Sequence, residues 1–225
     1  MAFQATEFTA MNESEPNELD RESWLQQLEE DPDKALSNAF EQYRLRLKKS
    51  LITRLNPRLV KLIDADDVLQ DAFLAARQRL EHFISHGDIS PFVWLRLIVQ
   101  QTVVDLHRHH FGVQKRDLRR EIVNQEGPSW SQTTVSIAQQ LVAEVSSPSA
   151  AMKRDELHNE LTVAIDSLSE TDREVIVLRH FEELRNQEVA EVLGIEVKAA
   201  SIRYVRALNR LKEVLMKCGI IYDGQ

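Results

Sequence analysis

Residues 186–215 carry the most structural information in this chain and run NQEVAEVLGIEVKAASIRYVRALNRLKEVL. The first part, residues 187–193, has the apolar spacing of a short amphipathic helix. Gly194 follows where a tight turn requires a positive φ, and Ile195 lies at the angle before a longer helix. This spacing is typical of a helix-turn-helix, whose second helix enters the major groove of DNA.

The longer helix has an apolar face and a basic flank. The apolar face is expected to be buried and consists of Ala200, Tyr204, Ala207, Leu208, Leu211 and Leu215. Arg203, Arg206 and Arg210 recur along one flank, which suits contacts to phosphates and leaves residues near the helix start to contact base edges. An ordinary solvated basic face is the alternative interpretation, but the adjoining glycine turn favours DNA binding.

Upstream of this motif the pattern is also helical. Of the 225 residues, 43% are hydrophobic and only 6% are aromatic, which favours helices over a sandwich or barrel. Apolar side chains recur at helical spacing in three segments: Phe40, Tyr43, Leu47 and Leu51; Leu69, Ala72, Phe73, Ala76 and Leu80; and Phe92, Leu95, Val99, Val103 and Leu106. Turn-forming residues between 121 and 150 predict a linker. We therefore expect an all-α protein with two small helical domains joined by a flexible linker.

The net charge of −8 is concentrated at the N-terminus. Residues 1–35 contain ten acidic and two basic residues, so the rest of the chain is balanced. Low apolar content and high charge predict a largely disordered extension, in which residues 23–28 have the pattern of a short helix. The extension either keeps the protein soluble or mimics nucleic acid and covers basic surfaces of the free protein.

An acidic stretch in the N-terminal half, DADDVLQDAF at residues 64–73, resembles region 2 of the extracytoplasmic-function subfamily of sigma-70 RNA polymerase sigma factors. The resemblance implies that this helix binds core RNA polymerase. The residues so implied are Asp64, Asp66, Asp67, Gln70 and Asp71. Helix capping by Asp66 and complementation of the helix dipole are the alternative roles for part of this stretch.

Two further stretches resemble the DNA-binding parts of the same family. Residues 92–96 and 105–108 resemble the helix that binds the −10 promoter element, which implies contacts from Trp94, Gln101, Asp105 and Arg108. Trp94 is equally compatible with a place in the core. Residues 193–211 resemble region 4, which implies contacts to the −35 element from Lys198, Ser201, Ile202, Arg203, Arg206 and Arg210. Gln100 and Gln101 stand where the family commonly has Arg and Asn, so no promoter sequence carries over.

The resemblance implies five parts and a function. The parts are an acidic extension (1–35), region 2 (36–120), a linker (121–149), region 4 (150–218) and a C-terminal tail (219–225). The implied function is that of a sigma factor, with no enzymatic activity, which binds core polymerase and promoter DNA and directs promoter recognition, opening and initiation. An anti-sigma factor is a further implied partner. The alternative is a stand-alone helix-turn-helix regulator that binds duplex DNA without polymerase.

No cofactor or metal is expected. A single cysteine, Cys218, excludes an internal disulfide and a cysteine-based zinc site, and His107, His109 and His110 lack the i, i+4 spacing of a helical metal pair. No stretch reaches the roughly 18 apolar residues of a membrane span. The N-terminus also lacks the pattern of a signal peptide. We therefore expect a cytoplasmic protein without membrane insertion.

Overall fold

The computed structural model describes residues 19–55, 57–60, 62–86, 88–114, 134 and 151–217, and every regular element in these ranges is helical. The N-terminal half contains α1 (Arg21–Glu30), α2 (Pro32–Arg54), α3 (Pro57–Val60), α4 (Ala65–His86) and α5 (Pro91–Gln114). The C-terminal half contains α6 (Ala151–Asp166), α7 (Glu170–Ile176), a π-helical turn (Val177–Phe181), α8 (Asn186–Leu193) and α9 (Val197–Lys217). The all-α prediction is confirmed. None of the described helices is long and apolar enough to cross a membrane.

Helix α1 is part of the folded body. Asp20 caps it by accepting a hydrogen bond from the Ser23 amide at 3.0 Å. Trp24 is fully buried, and its ring lies 5.0 Å from that of Phe83. The short helix expected at residues 23–28 is therefore present and longer, and residues 21–34 otherwise differ from the expected disorder because the Trp24 ring finds a place in the core despite its acidic neighbours.

Helices α2, α4 and α5 pack together as the N-terminal bundle, with α1 against α2. The predicted apolar stripe of α2 is buried, and the ring of Tyr43 lies 5.3 Å from that of Phe92 on α5. On α4, Phe73 is only partly buried and packs edge-on against Phe40 at 5.2 Å. The three predicted stripes thus converge on one core.

The C-terminal half is built from short helices around α9. Ser169 caps α7 by accepting from the Asp172 amide at 3.2 Å, as its capping pattern indicates. Helices α7 and α8 both pack against α9, and α6 contacts α9 as well. This assembly holds α8 and α9 in the helix-turn-helix arrangement.

The two halves are packed against each other. Helix α2 contacts the π-helical turn and α5 contacts α8, and one cluster of buried side chains extends through both halves. The sequence predicted two domains but not this contact between them. The predicted linker and both predicted tails lie outside the described residues, apart from residues 19–35 and Thr134, whose hydroxyl donates to Asp166 at 2.9 Å.

Candidate functional site

The turn before α9 fixes the direction of the candidate DNA-binding helix. Gly194 has a φ of 62°, in the left-handed region that favours glycine. The Ile195 amide donates to the carbonyl of Ala190 at 3.0 Å, which closes the end of α8. The turn that the sequence predicted is therefore present, and it sets α9 at an angle to α8.

Helix α9 exposes most of the predicted DNA contacts. The exposed residues are Lys198, Ile202, Arg206 and Arg210, and the half-buried ones are Ser201 and Arg203. The opposite face buries Ala200, Tyr204 and Ala207, as predicted. Leu208 differs, because 36% of it is exposed although it was expected in the core. The face of α9 that remains open is thus basic and partly apolar, which suits contact with phosphates and base edges.

Arg210 also has a structural contact. Its guanidinium pairs with the carboxylate of Asp172, which is almost fully buried at the start of α7. The stripe Arg203, Arg206 and Arg210 is therefore not uniform, since its last member ties α9 to α7 while the side chain stays more than half exposed.

The acidic end of α4 divides into a capping part and an exposed part. Asp64, not Asp66, caps the helix, because the Asp66 amide donates to Asp64 Oδ1 at 2.8 Å. The carboxylate of Asp66 instead pairs with Lys48 at 2.7 Å and Arg44 at 3.1 Å. Hydrogen bonds from Lys48 and Arg44 hold the pKa of Asp66 below its usual range. The carboxylates of Asp66 and Asp64 thus have partners within the chain.

The next turns of α4 present an open acidic surface. Asp67, Gln70 and Asp71 are exposed, and Leu74 follows on the same helix with half of its surface exposed. A pair of carboxylates beside an apolar side chain can meet a basic helical partner by both charge and burial. Leu74 is an addition that the acidic signature did not identify.

Helix α5 carries a polar lane but not the tryptophan predicted with it. Trp94 is 8% exposed and packs against the rings of Phe83 at 4.6 Å and Trp24 at 5.7 Å, so it belongs to the core. Its spacing satisfied both interpretations, and the packing of α1 and α4 against it decides between them. Leu97 is 43% exposed and starts the lane instead.

The other predicted side chains of the lane on α5 are exposed. Gln101, Asp105 and Arg108 are exposed, and the amide of Gln101 donates to Asp105 at 3.1 Å. Arg108 lies 3.9 Å from Asp105, which is a loose surface pair. These side chains are positioned by one another yet open to a ligand, as contacts to single-stranded bases require.

The three histidines on α5 show no metal site within the described side chains. His107 is buried. The side chains of His109 and His110 lie outside the described residues, and no group of three metal-ligating side chains occurs within the described part of the chain.

A cluster of buried charges joins the two halves, and sequence analysis did not identify it. We call it the interdomain cluster; it consists of Ser50 and Arg54 from α2, Arg96 from α5, Glu174 from α7 and Glu182 after the π-helical turn. The Glu182 side chain is fully buried and accepts from Ser50 Oγ at 2.5 Å, Arg54 Nε at 2.7 Å and Arg96 Nε at 2.6 Å. Arg54 also donates to both oxygens of Glu174, at 2.9 and 2.7 Å.

The electrostatics of the interdomain cluster favour its charged form. Burial alone would raise the pKa of Glu182, but the guanidinium groups of Arg96 and Arg54 outweigh it and hold the pKa at about 2. Burial would likewise lower the pKa of Arg54, and the carboxylates of Glu182 and Glu174 raise it instead. Two cations and two anions therefore neutralise each other at a site that is shielded from water.

Further polar contacts join the two halves outside the interdomain cluster. Arg46 donates to both carboxylate oxygens of Glu188 on α8, at 2.8 and 2.6 Å. Lys49 pairs with Glu183, and the Ser90 amide donates to Glu191 at 2.9 Å. The Glu188 carboxylate also accepts from the Arg185 amide at 2.7 Å, so one side chain both starts α8 and holds it to α2.

A family model and several relatives found by comparison with known proteins point to the same family. Residues 158–211 match the family model described as Sigma-70, region 4. The RNA polymerase sigma factor YlaC of Bacillus subtilis is 28% identical over 183 residues, which cover 81% of this chain and 93% of that protein. The ECF RNA polymerase sigma factor SigW of the same organism is 29% identical over 154 residues, covering 68% of this chain and 75% of that protein. A solved structure of CnrH in complex with the cytosolic domain of CnrY covers 86% of this chain at 24% identity, with a TM-score of 0.47.

Proposed function

This chain belongs to the sigma-70 family of RNA polymerase sigma factors, in the extracytoplasmic-function subfamily, and we propose which of its surfaces bind core polymerase, the −10 element and the −35 element. It binds core RNA polymerase and promoter DNA and has no catalytic activity of its own. The observation that carries the division is that three chemically different surfaces, on α4, α5 and α9, are exposed in the order that the family resemblance implies. Its work on chromosomal DNA gives it a cytoplasmic location.

The acidic surface of α4 is the proposed contact to core polymerase. Asp67 and Asp71 are exposed, whereas the carboxylate of Asp66 already has two cationic partners within the chain. An acidic surface of this kind accelerates encounter with a basic partner, and Leu74 adds apolar surface that can be buried on binding. We therefore assign the energetically important contacts to Asp67, Asp71 and Leu74, with Gln70 between them and Asp64 and Asp66 shaping the helix start.

The polar lane of α5 is the proposed contact to the −10 element. Promoter opening exposes bases, which are bound by side chains that combine apolar or planar surface with hydrogen-bonding groups. Leu97, Gln101, Asp105 and Arg108 supply this combination on one exposed helix face. Trp94 supports the lane from the core, since its ring is packed against two other aromatic rings.

Helix α9 is the proposed contact to the −35 duplex. Lys198, Ser201 and Ile202 lie in its first two turns, where a recognition helix meets base edges. Arg203 and Arg206 lie along the flank and are suited to phosphates, and Arg210 contributes there while it anchors α9 through Asp172. The regions proposed are thus 36–120 for core polymerase and the −10 element and 150–218 for the −35 element, with 121–149 as their linker.

An anti-sigma factor is the further partner that we propose, as for many relatives. Exposed apolar side chains on α9, at Ile202, Val205 and Leu208, support it, because they offer a protein partner more apolar surface than a phosphate backbone can use. A variant with all three changed to serine should lose affinity for such a protein while it keeps its helical circular dichroism signal.

The core-binding assignment is tested with a charge-reversed variant. Asp67→Lys with Asp71→Lys should lower the affinity for core polymerase at least about tenfold, because two attractive contacts become repulsive. The matched control is Glu29→Lys with Glu30→Lys, which changes the net charge equally on the exposed end of α1. The two variants and the unmodified protein are compared by fluorescence anisotropy. Equal affinities for all three would remove α4 from the interface.

A further inference from the structure

We propose that α1 is a fixed cover over Trp94, which removes this side chain from the contact with the −10 strand and makes Leu97 the first contact on α5. The inference rests on the proposed assignment of α5 to the −10 element. It goes beyond that assignment because it gives the N-terminal helix a part in deciding how the chain holds the bases of an opened promoter.

Trp94 lies on the face of α5 that carries the polar lane. Gln101, Asp105 and Arg108 follow it by seven, eleven and fourteen residues, and these spacings bring side chains to one side of an α-helix. An exposed tryptophan at this point would offer a base a stacking surface at the start of the lane. In the structure Trp94 is buried, and Leu97, one turn further along, is exposed instead.

Two rings pack against Trp94, and they belong to different helices. The ring centroid of Phe83, on α4, lies 4.6 Å from that of Trp94. The ring centroid of Trp24, on α1, lies 5.7 Å from that of Trp94 and 5.0 Å from that of Phe83. Because α4 is one of the three helices of the N-terminal bundle, Phe83 is in place whenever the bundle is folded. The part of Trp94 that Trp24 covers depends on α1 alone.

Helix α1 is held firmly enough to stay in place when DNA binds. Trp24 is fully buried, its indole nitrogen donates to the carbonyl of Ala35 at 3.3 Å, and Leu28 is buried one turn further along α1. Asp31 follows α1 directly and caps α2 by accepting from the Lys34 amide at 3.0 Å. The loss of a buried tryptophan destabilises a fold by more than the stacking of one base strengthens binding. A DNA strand therefore does not displace α1.

The outer surface of α1 is acidic. Glu22, Glu29 and Glu30 are exposed, and Arg21 is the one basic residue of this helix. Because a phosphate backbone is repelled by negative charge, α1 disfavours the approach of a strand to the end of α5 at which Trp94 lies. The cover thus acts by charge as well as by shape.

The cover changes the chemistry with which the lane holds a base. With Trp94 removed from it, the lane consists of Leu97, Gln101, Asp105 and Arg108. The amide, carboxylate and guanidinium form hydrogen bonds with base edges, which differ between bases, whereas stacking on a ring accepts every base. We therefore expect α1 to make the −10 contact more selective at the expense of its strength.

The first test measures whether Trp94 meets a base in the holoenzyme. The chain has three tryptophans, so Trp24→Phe with Trp130→Phe leaves Trp94 alone and keeps a ring at position 24. Trp94 is replaced by hydroxytryptophan, which is excited at longer wavelengths than the tryptophans of core polymerase. The probe is the non-template −10 strand of a promoter that the holoenzyme selects from a pool of duplexes, with a dye whose anisotropy reports binding.

The strand should bind without quenching the emission of Trp94. Quenching on binding would mean that a base stacks on Trp94, and it would overturn the cover. A strand that does not bind to the holoenzyme at all would overturn the proposed function of α5, and with it this inference.

The second test removes the cover. Trp24→Ala should raise the affinity of the holoenzyme for the same strand about fivefold or more, because Trp94 can then stack on a base. Adding Trp94→Leu should cancel this gain, and Gln26→Ala, an exposed change on α1, should leave the affinity unchanged. Helix content by circular dichroism is the control for folding. A merely structural role of Trp24 predicts weaker binding, so unchanged or lower affinity in a folded Trp24→Ala chain would contradict the proposal. If this variant failed to fold, the quenching measurement would decide.

Discussion

Gly194 is the residue on which the helix-turn-helix most directly depends. Its φ of 62° is unfavourable for a residue with a Cβ, although a Cβ added there would meet no atom within 4 Å. Gly194→Ala should therefore destabilise the fold by about 1–2 kcal/mol through backbone strain alone. Thermal unfolding checks this, with Gly194→Asn as the control, because asparagine tolerates the left-handed region and should cost less. Equal stability of the alanine variant and wild type would show that the turn relaxes.

Glu182 links stability to acid pH. Its pKa is about 2 in the folded chain, against an ordinary value of 4.5, because Arg96 and Arg54 outweigh its burial. A lowered pKa gives stabilisation that is present above pH 4.5 and is lost as the pH falls towards 2. Between pH 6 and pH 3 the loss of this stabilisation should lower the free energy of unfolding by about 2 kcal/mol. Urea unfolding is measured at both pH values for wild type and for Glu182→Gln, in which Ser50, Arg54 and Arg96 face an amide that does not titrate. The wild type should lose about 2 kcal/mol more than the variant when the pH is lowered. An identical pH dependence in both would refute the assignment.

At the level of single residues, the sequence predicted the chemical type of the residues at a site better than it predicted which residues contact each other. Asp64 and Asp66 were both predicted at the polymerase contact, with Asp66 as the alternative cap, whereas in the structure Asp64 caps α4 and Asp66 pairs with Lys48 and Arg44. Helix boundaries shift by one or two residues, which is enough to exchange these roles. Glu182 lies 128 residues from Arg54 and 86 from Arg96, so no local pattern connects them.

Helix α1 is the element that changes the interpretation of the acidic N-terminus. Trp24 is fully buried, and its indole nitrogen donates to the carbonyl of Ala35 at 3.3 Å. Trp24→Ala should therefore cost about 3–5 kcal/mol of folding free energy, measured by urea unfolding. Gln26→Ala, an exposed change on the same helix, should stay within about 0.5 kcal/mol. A small effect of Trp24→Ala would mean that α1 docks without stabilising the bundle.

The same element limits how the nucleic-acid-mimic hypothesis for the tail is tested. Residues 21–34 lie in α1 and at the start of α2, so their removal would disturb the bundle. Deletion of residues 1–18 leaves both helices and the Asp20 cap intact. Stronger DNA binding by that shortened chain at low salt would favour mimicry, and unchanged binding would favour a solubilising role.

Two of the three arginines on α9, Arg206 and Arg210, have different expected effects when they are replaced. Arg206→Ala should weaken binding of holoenzyme to a −35 duplex and reduce the slope of log affinity against log salt by about 1, because one phosphate contact is lost. Arg210→Ala should in addition lower stability, since it removes the partner of the buried Asp172. Arg79→Ala, an equal charge change on α4, is the control and should leave the salt slope unchanged. Equal slopes for all three variants would exclude a phosphate contact at Arg206.

Elements were the most predictable level of this structure. Apolar spacing and the glycine turn predicted helices α2, α4, α5 and α9 because helix formation depends on neighbours a few residues apart. Trp94 shows the limit of what local apolar spacing can predict. Its spacing suited an exposed lane and a core equally, and the answer depended on the packing of α4 and of α1, whose Trp24 lies 70 residues away in the sequence.

At the scale of the whole molecule, the two halves form a joint contact that the sequence of neither half predicts. Its two halves are held together by buried ion pairs, yet the proposed contacts to polymerase and DNA remain on the outside. The net charge of −8 resides in residues 1–35, part of which forms α1 and the start of α2, whereas the rest of the chain, which carries the proposed DNA contacts, is balanced in charge.

The central claim, that this chain selects promoters as a subunit of polymerase, is tested by one binding measurement. Purified protein is titrated with core RNA polymerase, and a pool of promoter duplexes is presented to it with and without core. The account predicts nanomolar association with core and selection of duplexes that contain both elements only when core is present. Strong duplex selection by the free chain, together with no binding to core, would contradict it and identify a stand-alone regulator.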